Sequence, residues 1–132
     1  MEIQNNLQCQ RNIKILFVDD DLTSIEYFKT SFSDKYNILT VQSGEEGLYI
    51  FQKHENIALI LTDHRMPQMT GISFLTKSMK YSPDSMRILI SGRSENELVI
   101  RAIMKDMSAA IKYALETYNL RVTNKKLKLL NE

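Results

Sequence analysis

Three aspartates in this 132-residue sequence stand where carboxylates can do phosphorus chemistry. Asp19 and Asp20 end the short apolar run Ile13-Lys14-Ile15-Leu16-Phe17-Val18, and Asp63 closes the run that begins Ile57-Ala58-Leu59-Ile60-Leu61. Ser91 ends a further run, Arg87-Ile88-Leu89-Ile90. If the runs neighbour one another, three anions and a hydroxyl converge, and the anions repel unless a cation joins them. All-oxygen ligands suit magnesium, which takes one or two carboxylates and keeps several waters. A carboxylate beside such a metal can attack phosphorus, while the metal neutralises charge on the transferring group. A short hydroxyl such as Ser91 can hydrogen-bond a phosphate oxygen. A single aspartate at a strand end is more often a turn former or helix cap. Asp21 fits that plainer role, just before a helix that starts near Thr23. Three acids and a serine in one kind of position make a shared purpose the better reading.

The elements that must position them are legible. Apolar runs without strict alternation suit strands covered on both faces. Ile13–Val18, Tyr36–Val41, Ile57–Leu61 and Arg87–Ser91 read as four such strands. Between them lie helical stripes: Ile25, Phe28 and Phe32; then Leu48, Ile50 and Phe51; then Ile72, Phe74, Leu75 and Met79. Ser43-Gly44-Glu45-Glu46 and Ser94–Glu97 have the form of capping boxes. Met66-Pro67 and Gly71 punctuate a loop after the third strand, and Ser82-Pro83 stops the helix that follows. Strands alternating with helices predict a parallel sheet with helices on both faces. In such a sheet, sites form at the carboxyl ends of strands. From Arg93 to Glu132 there is neither glycine nor proline. That stretch reads as one helix of about 55 Å at 1.5 Å per residue, or as two helices broken near Asp106 or Ser108.

Composition bounds the rest. The length fits one domain, 43% of residues are apolar and 25% charged, and the net charge is +1. No global field favours nucleic acid or an acidic membrane. The mild basic cluster Arg121, Lys125, Lys126 and Lys128 reads as a solvated helix face. Cys9 is the sole cysteine, so no internal disulfide forms, and no Cys/His cluster has zinc spacing. No apolar run reaches the ~20 residues that span a bilayer, and Met1–Arg11 lacks a signal peptide's apolar core. A cytoplasmic protein is expected. Residues 1–11 read as a flexible tail, 12–107 as the folded domain, and 108–132 as a C-terminal helix.

Four segments resemble the receiver domain of two-component response regulators. Ile15–Asp21 is similar to the family's first strand and acidic pair, and Ser43–Leu48 to the opening of its second helix. Leu61-Thr62-Asp63-His64-Arg65-Met66-Pro67-Gln68-Met69-Thr70-Gly71 resembles its phosphoacceptor strand and loop. Ile88–Gly92 resembles its fourth strand with the switch hydroxyl. The resemblance covers residues 13–103 and suggests a prokaryotic source. It implies a flavodoxin-like doubly wound sheet, with strands in the order 2-1-3-4-5. It implies that Asp63 accepts phosphate from a histidine kinase or phosphotransfer protein. Asp20, Asp63 and the Arg65 backbone carbonyl would hold Mg2+, with Asp19 acting through a metal-bound water. Ser91 would be the switch. The family's fifth strand and the Lys-Pro after it have no counterpart, which leaves the order 2-1-3-4. Lys105 and Lys112 are the nearest lysines, and both lie in helical pattern.

Without a fifth strand, the fourth becomes an edge that something must cover. The long C-terminal helix is the candidate, from this chain or from a second copy. Met104, Ile111, Leu115, Tyr118, Val122 and Leu129 fit a 3-4 heptad register with Ser108 and Lys125 as misfits. This favours a homodimer through that helix over a stripe that packs only on its own sheet. Two other functions stay open: a degenerate receiver used for docking or dimerisation, and a phosphatase. Asp19-Asp20-Asp21-Leu22-Thr23 also resembles the nucleophile motif of haloacid-dehalogenase-like enzymes. The downstream lysine and acids those enzymes need are missing, so a signalling domain rather than an enzyme is expected. His64 reads as a surface loop residue, and Arg65 as a side chain at the site mouth.

Overall fold

The computed structural model describes the backbone of residues 13–90 and 97–130, and the side chains of 13–90 and 107–130. Ser91, the Ser94–Glu97 capping box, Met104 and the tail with Cys9 lie wholly or partly outside the described residues. The elements run β1 (Lys14–Val18), α1 (Leu22–Phe32), β2 (Asn37–Val41), α2 (Gly44–Lys53), β3 (Ile57–Asp63), α3 (Gly71–Tyr81), β4 (Met86–Ile90) and α4 (Glu97–Leu130). The strands form one parallel sheet in the order β2-β1-β3-β4. This is the doubly wound order 2-1-3-4 that the sequence leads one to expect, with four strands among the described residues.

The apolar pattern sorts residues to the two faces. Ile15 and Phe17 of β1 and Leu59 and Leu61 of β3 meet Ile25, Phe28 and Phe32 of α1 and Met107, Ile111, Ala114 and Leu115 of α4. The Phe17 and Phe28 rings stack with centroids 4.2 Å apart. On the other face, Leu16, Val18, Ile57 and Ile60 pack with Met66 and Phe74, flanked by α2 and α3. All seven residues of β3 are buried, which explains its unbroken apolar run. β4 differs, being only half-buried along its whole length. It pairs with β3 on one side, and no strand among the described residues pairs with the other.

The C-terminal stretch is a single helix of 34 residues, with no break at Asp106 or Ser108. Its apolar stripe has two fates. Ile111 and Leu115 are buried against the protein's own sheet with Tyr118 packed beside them. Leu129, assigned to the same register, is 73% exposed. So α4 covers the sheet between Met107 and Tyr118, and the stretch from Leu120 onward leaves its leucines exposed. The parting is anchored at Asp84, whose carboxylate pairs with Lys125 at 2.6 Å and whose carbonyl accepts from Arg121. Those two cations are therefore not merely solvated.

Local signals explain the helix starts. Asp21 caps α1, accepting from the Thr23 N–H and the Ser24 hydroxyl. Ser43 accepts from the Glu46 N–H, and the Glu46 carboxylate reaches back to the Gln42 N–H. This is a capping box whose return bond lands one residue early. Thr70 caps α3 by accepting from the Ser73 N–H.

Candidate functional site

Each acidic residue stands at, or just past, the carboxyl end of a strand. Asp19 follows the last residue of β1, and its N–H still donates to the Val41 carbonyl of β2. Asp63 is the last residue of β3, in register with Ile90 of β4. Because β1 and β3 are parallel neighbours, with Val18 opposite Thr62, their ends deliver Asp19, Asp20 and Asp63 to one spot. One oxygen from each of the three carboxylates lies within 4.8 Å of the others. Asp19 and Asp63 are buried, and Asp20 is more open to solvent.

The carboxylates are held, not loose. Asp19 Oδ1 accepts from the Asp21 N–H at 2.9 Å, and Asp63 Oδ1 accepts from the His64 N–H at 2.8 Å. Both bonds use backbone donors that the turn after each strand presents. They fix the rotamers and offset part of the mutual repulsion, which is strong for like charges under 5 Å apart in a partly buried site. The donor set is three carboxylates and no sulfur or imidazole, the chemistry of a hard divalent cation rather than of zinc or copper.

The loop from β3 to α3 shapes the other wall. The Gly71 N–H donates to the His64 carbonyl at 3.0 Å, closing the loop on itself. Within it the Met69 N–H bonds the Pro67 carbonyl at 2.7 Å around Gln68, whose φ of 70° is left-handed. This is a γ-turn of the less common hand. Met66 is buried in the core, pinning one end of the loop, while the Arg65 side chain is exposed. His64 is half-buried, and its Nδ1 has no hydrogen-bond partner among the described residues. It is thus more enclosed than an ordinary surface loop histidine.

The structure therefore brings together Asp19, Asp20 and Asp63, and places Arg65 two residues along the loop. Ser91 falls outside the described residues. Asp21 is committed to capping α1, the plainer role its position suggested. Sequence reasoning missed the closeness of Gly71 to Asp63, because a glycine opening a helix carries no signal beyond the turn it allows. It also missed a shallow groove of about 350 Å³ on α1, lined by Leu22, Thr23, Glu26, Tyr27 and Thr30.

In an open parallel sheet, ligand sites form at the carboxyl ends of the strands, which is where these acids converge. The comparisons identify the family. The family model for the response regulator receiver domain matches residues 15–122, and the chain belongs to that family. Among relatives, a probable chemotaxis protein CheY of Rhizobium etli is 30% identical over 95 residues, covering 68% of this chain and 72% of that protein. The hydrogenase transcriptional regulatory protein HoxA of Cupriavidus necator is 32% identical over 89 residues, 67% of this chain. The chain matches only 18% of that regulator's length. Among solved structures, a response regulator receiver domain protein from Clostridium thermocellum superposes with a TM-score of 0.69 at 28% identity, covering 82% of this chain and 98% of that one. An adenylate cyclase structure from Rhodopirellula baltica gives 0.76 at 27% identity, covering 86% and 95%. Receiver domains are signalling domains of two-component systems, not enzymes in the usual sense. Among the described residues, no helix is long and apolar enough to cross a membrane.

Proposed function

We propose that this receiver domain accepts a phosphoryl group on Asp63 in a Mg2+-dependent two-component relay. The donor is the phosphohistidine of a histidine kinase or phosphotransfer protein. The observation that carries this reading is the meeting of Asp19, Asp20 and Asp63 within 4.8 Å. A carboxylate oxygen of Asp63 attacks the phosphorus, the P–N bond breaks, and the imidazole leaves with the electron pair. Asp20, Asp63 and the Arg65 carbonyl would ligate Mg2+, with Asp19 holding a metal-bound water. Bound there, Mg2+ supplies positive charge that offsets the gathering anions. Asp63 provides the nucleophile, and the bond from the His64 N–H keeps its carboxylate aimed. Ser91 is the proposed switch hydroxyl. The exposed apolar groove around Leu22 and Tyr27 lies on the helix that starts just after the acidic pair, where a donor protein would dock.

A second reading draws on the four-stranded sheet and the absence of a Lys-Pro pair. Without the lysine of that pair to read out the phosphate, the domain would act as a docking or dimerisation module. The exposed leucines of α4, Leu120, Leu127, Leu129 and Leu130, support a homodimer through that helix under either reading. A cytoplasmic location accords with both.

Beryllofluoride with Mg2+ separates them. Under the first reading, amide NMR resonances of Asp19, Asp20, Asp63 and Arg65 shift together in the native protein and not in Asp63→Ala. An unchanged spectrum in the native protein would leave only the docking role.

A further inference from the structure

We propose that Gly71 is a positioning residue for Asp63, resting on the reading of Asp63 as the phosphoacceptor. It sets how closely α3 seats against the end of β3, and so fixes the phosphoacceptor segment relative to Asp19 and Asp20.

A Cβ on Gly71 would lie 2.3 Å from the Asp63 carbonyl oxygen, 3.0 Å from the Asp63 carbonyl carbon and 2.8 Å from Leu89 Cδ1. The first two are backbone atoms, so no side-chain rotation relieves them. β3 cannot retreat, because its end is paired on both flanks, Thr62 with Val18 and Asp63 with Ile90. The Asp63 carbonyl is further tied by the Thr62 hydroxyl, which donates to it at 2.9 Å. α3 is held too: Phe74 is fully buried, and Ser78 Oγ accepts from Arg87 Nε at 2.9 Å. What can yield is the 64–70 connection, which already contains left-handed Gln68 and carries Arg65. A single methyl at residue 71 therefore displaces the very segment that links Asp63 to its proposed metal ligand.

The sign runs against ordinary expectation. Alanine in place of a helical glycine at a compatible site usually stabilises, through helix propensity and a less mobile unfolded chain. A loss at Gly71 must come from the close approach. Gly47 provides the comparison: its Cβ would lie 2.6 Å from the Phe74 ring, a side-chain clash inside the α2–α3 packing.

The test measures Mg2+ affinity by calorimetry, thermal stability, and the Asp63 and His64 amide shifts without metal, for Gly71→Ala, Gly47→Ala and Gly71→Ala/Leu89→Ala. Gly71→Ala is expected to weaken Mg2+ about tenfold, as removal of ligand-orienting support does elsewhere, and to move both amide shifts. Gly47→Ala lowers stability and leaves Mg2+ affinity at the native value. Leu89→Ala removes one contact and leaves the carbonyl clash, so it restores nothing. Native Mg2+ affinity in folded Gly71→Ala overturns the proposal, as does recovery with Leu89→Ala. If Gly71→Ala does not fold, Thr62→Val frees the same carbonyl without adding bulk, and unchanged Mg2+ affinity there overturns it. If the affinity pattern holds but native protein takes no phosphoryl group from phosphoramidate, the phosphoacceptor reading falls and the positioning role stands.

Discussion

Ile111→Ala asks whether α4 belongs to the fold that holds the site or merely trails from it. Ile111 is fully buried in the cluster shared with β1, β3 and α1. Truncation removes three carbons, a transfer loss of about 2.4 kcal/mol at ~0.8 kcal/mol each. The partly collapsed cavity adds roughly 1–2 kcal/mol, for an expected cost of about 3.5–4.5 kcal/mol. Leu120, nine residues further along the same helix, is 63% exposed. Leu120→Ala should stay within about 0.5 kcal/mol, the range for surface positions with similar helix propensity. The assay is urea unfolding by circular dichroism at low protein concentration, where a shift in midpoint at constant slope reports stability. Similar small costs for both variants would show that α4 does not complete the core, and β4 would then need another cover. Repeating the Leu120→Ala measurement at high concentration isolates any dimer: only a contact between copies makes its cost grow with protein concentration.

Other outcomes follow from single features. Arg87 donates to Ser78 Oγ and to the Ser82 and Ser85 carbonyls, tying the start of β4 to the end of α3. Arg87→Ala strands those acceptors and should cost about 2–4 kcal/mol, measured by urea unfolding. Burial, and then the Asp84 carboxylate, raise the Tyr118 phenol above its ordinary range. A group raised in the folded state adds stability below its unfolded pKa, near 10, and loses it as pH climbs through the folded value. Melting between pH 9 and roughly 11 should therefore fall less steeply in Tyr118→Phe than in native protein. Gln68→Gly relieves a left-handed residue worth about 1 kcal/mol, partly offset by a more flexible unfolded chain. A Tm no lower than that of native protein is expected, and a clear fall would mean the side chain matters more than the strain.

What was legible in the residues was what local chemistry decides. Asp19, Asp20 and Asp63 were readable because each ends an apolar run, and parallel pairing turns such endings into one site. The helix starts at Asp21 and Ser43 were readable because a cap needs only neighbouring atoms. The fate of α4 was not. Ile111, Leu115, Tyr118 and Leu129 share one stripe in sequence, yet the first three meet the sheet and the last meets solvent. Helical periodicity states which face is apolar, and the sheet's extent decides where that face stops being covered. The stripe's service to this chain's own sheet leaves Leu120, Leu127, Leu129 and Leu130 exposed. The edge position of β4 was legible, because the pattern of a fifth strand is missing, and the order of the described strands agrees; its half-burial was not, since Ile88-Leu89-Ile90 reads like a strand covered on both faces. Gly71 was invisible because its role depends on an oxygen eight residues earlier that folding brings within touching distance.

The central claim, phosphoryl acceptance at Asp63, is tested most directly by intact-mass spectrometry after incubation with phosphoramidate and Mg2+. The account predicts a single added phosphoryl group on native protein, lost on removing Mg2+ and absent from Asp63→Asn. A native protein that remains unmodified under these conditions, or an Asp63→Asn variant labelled to the same extent, would contradict it.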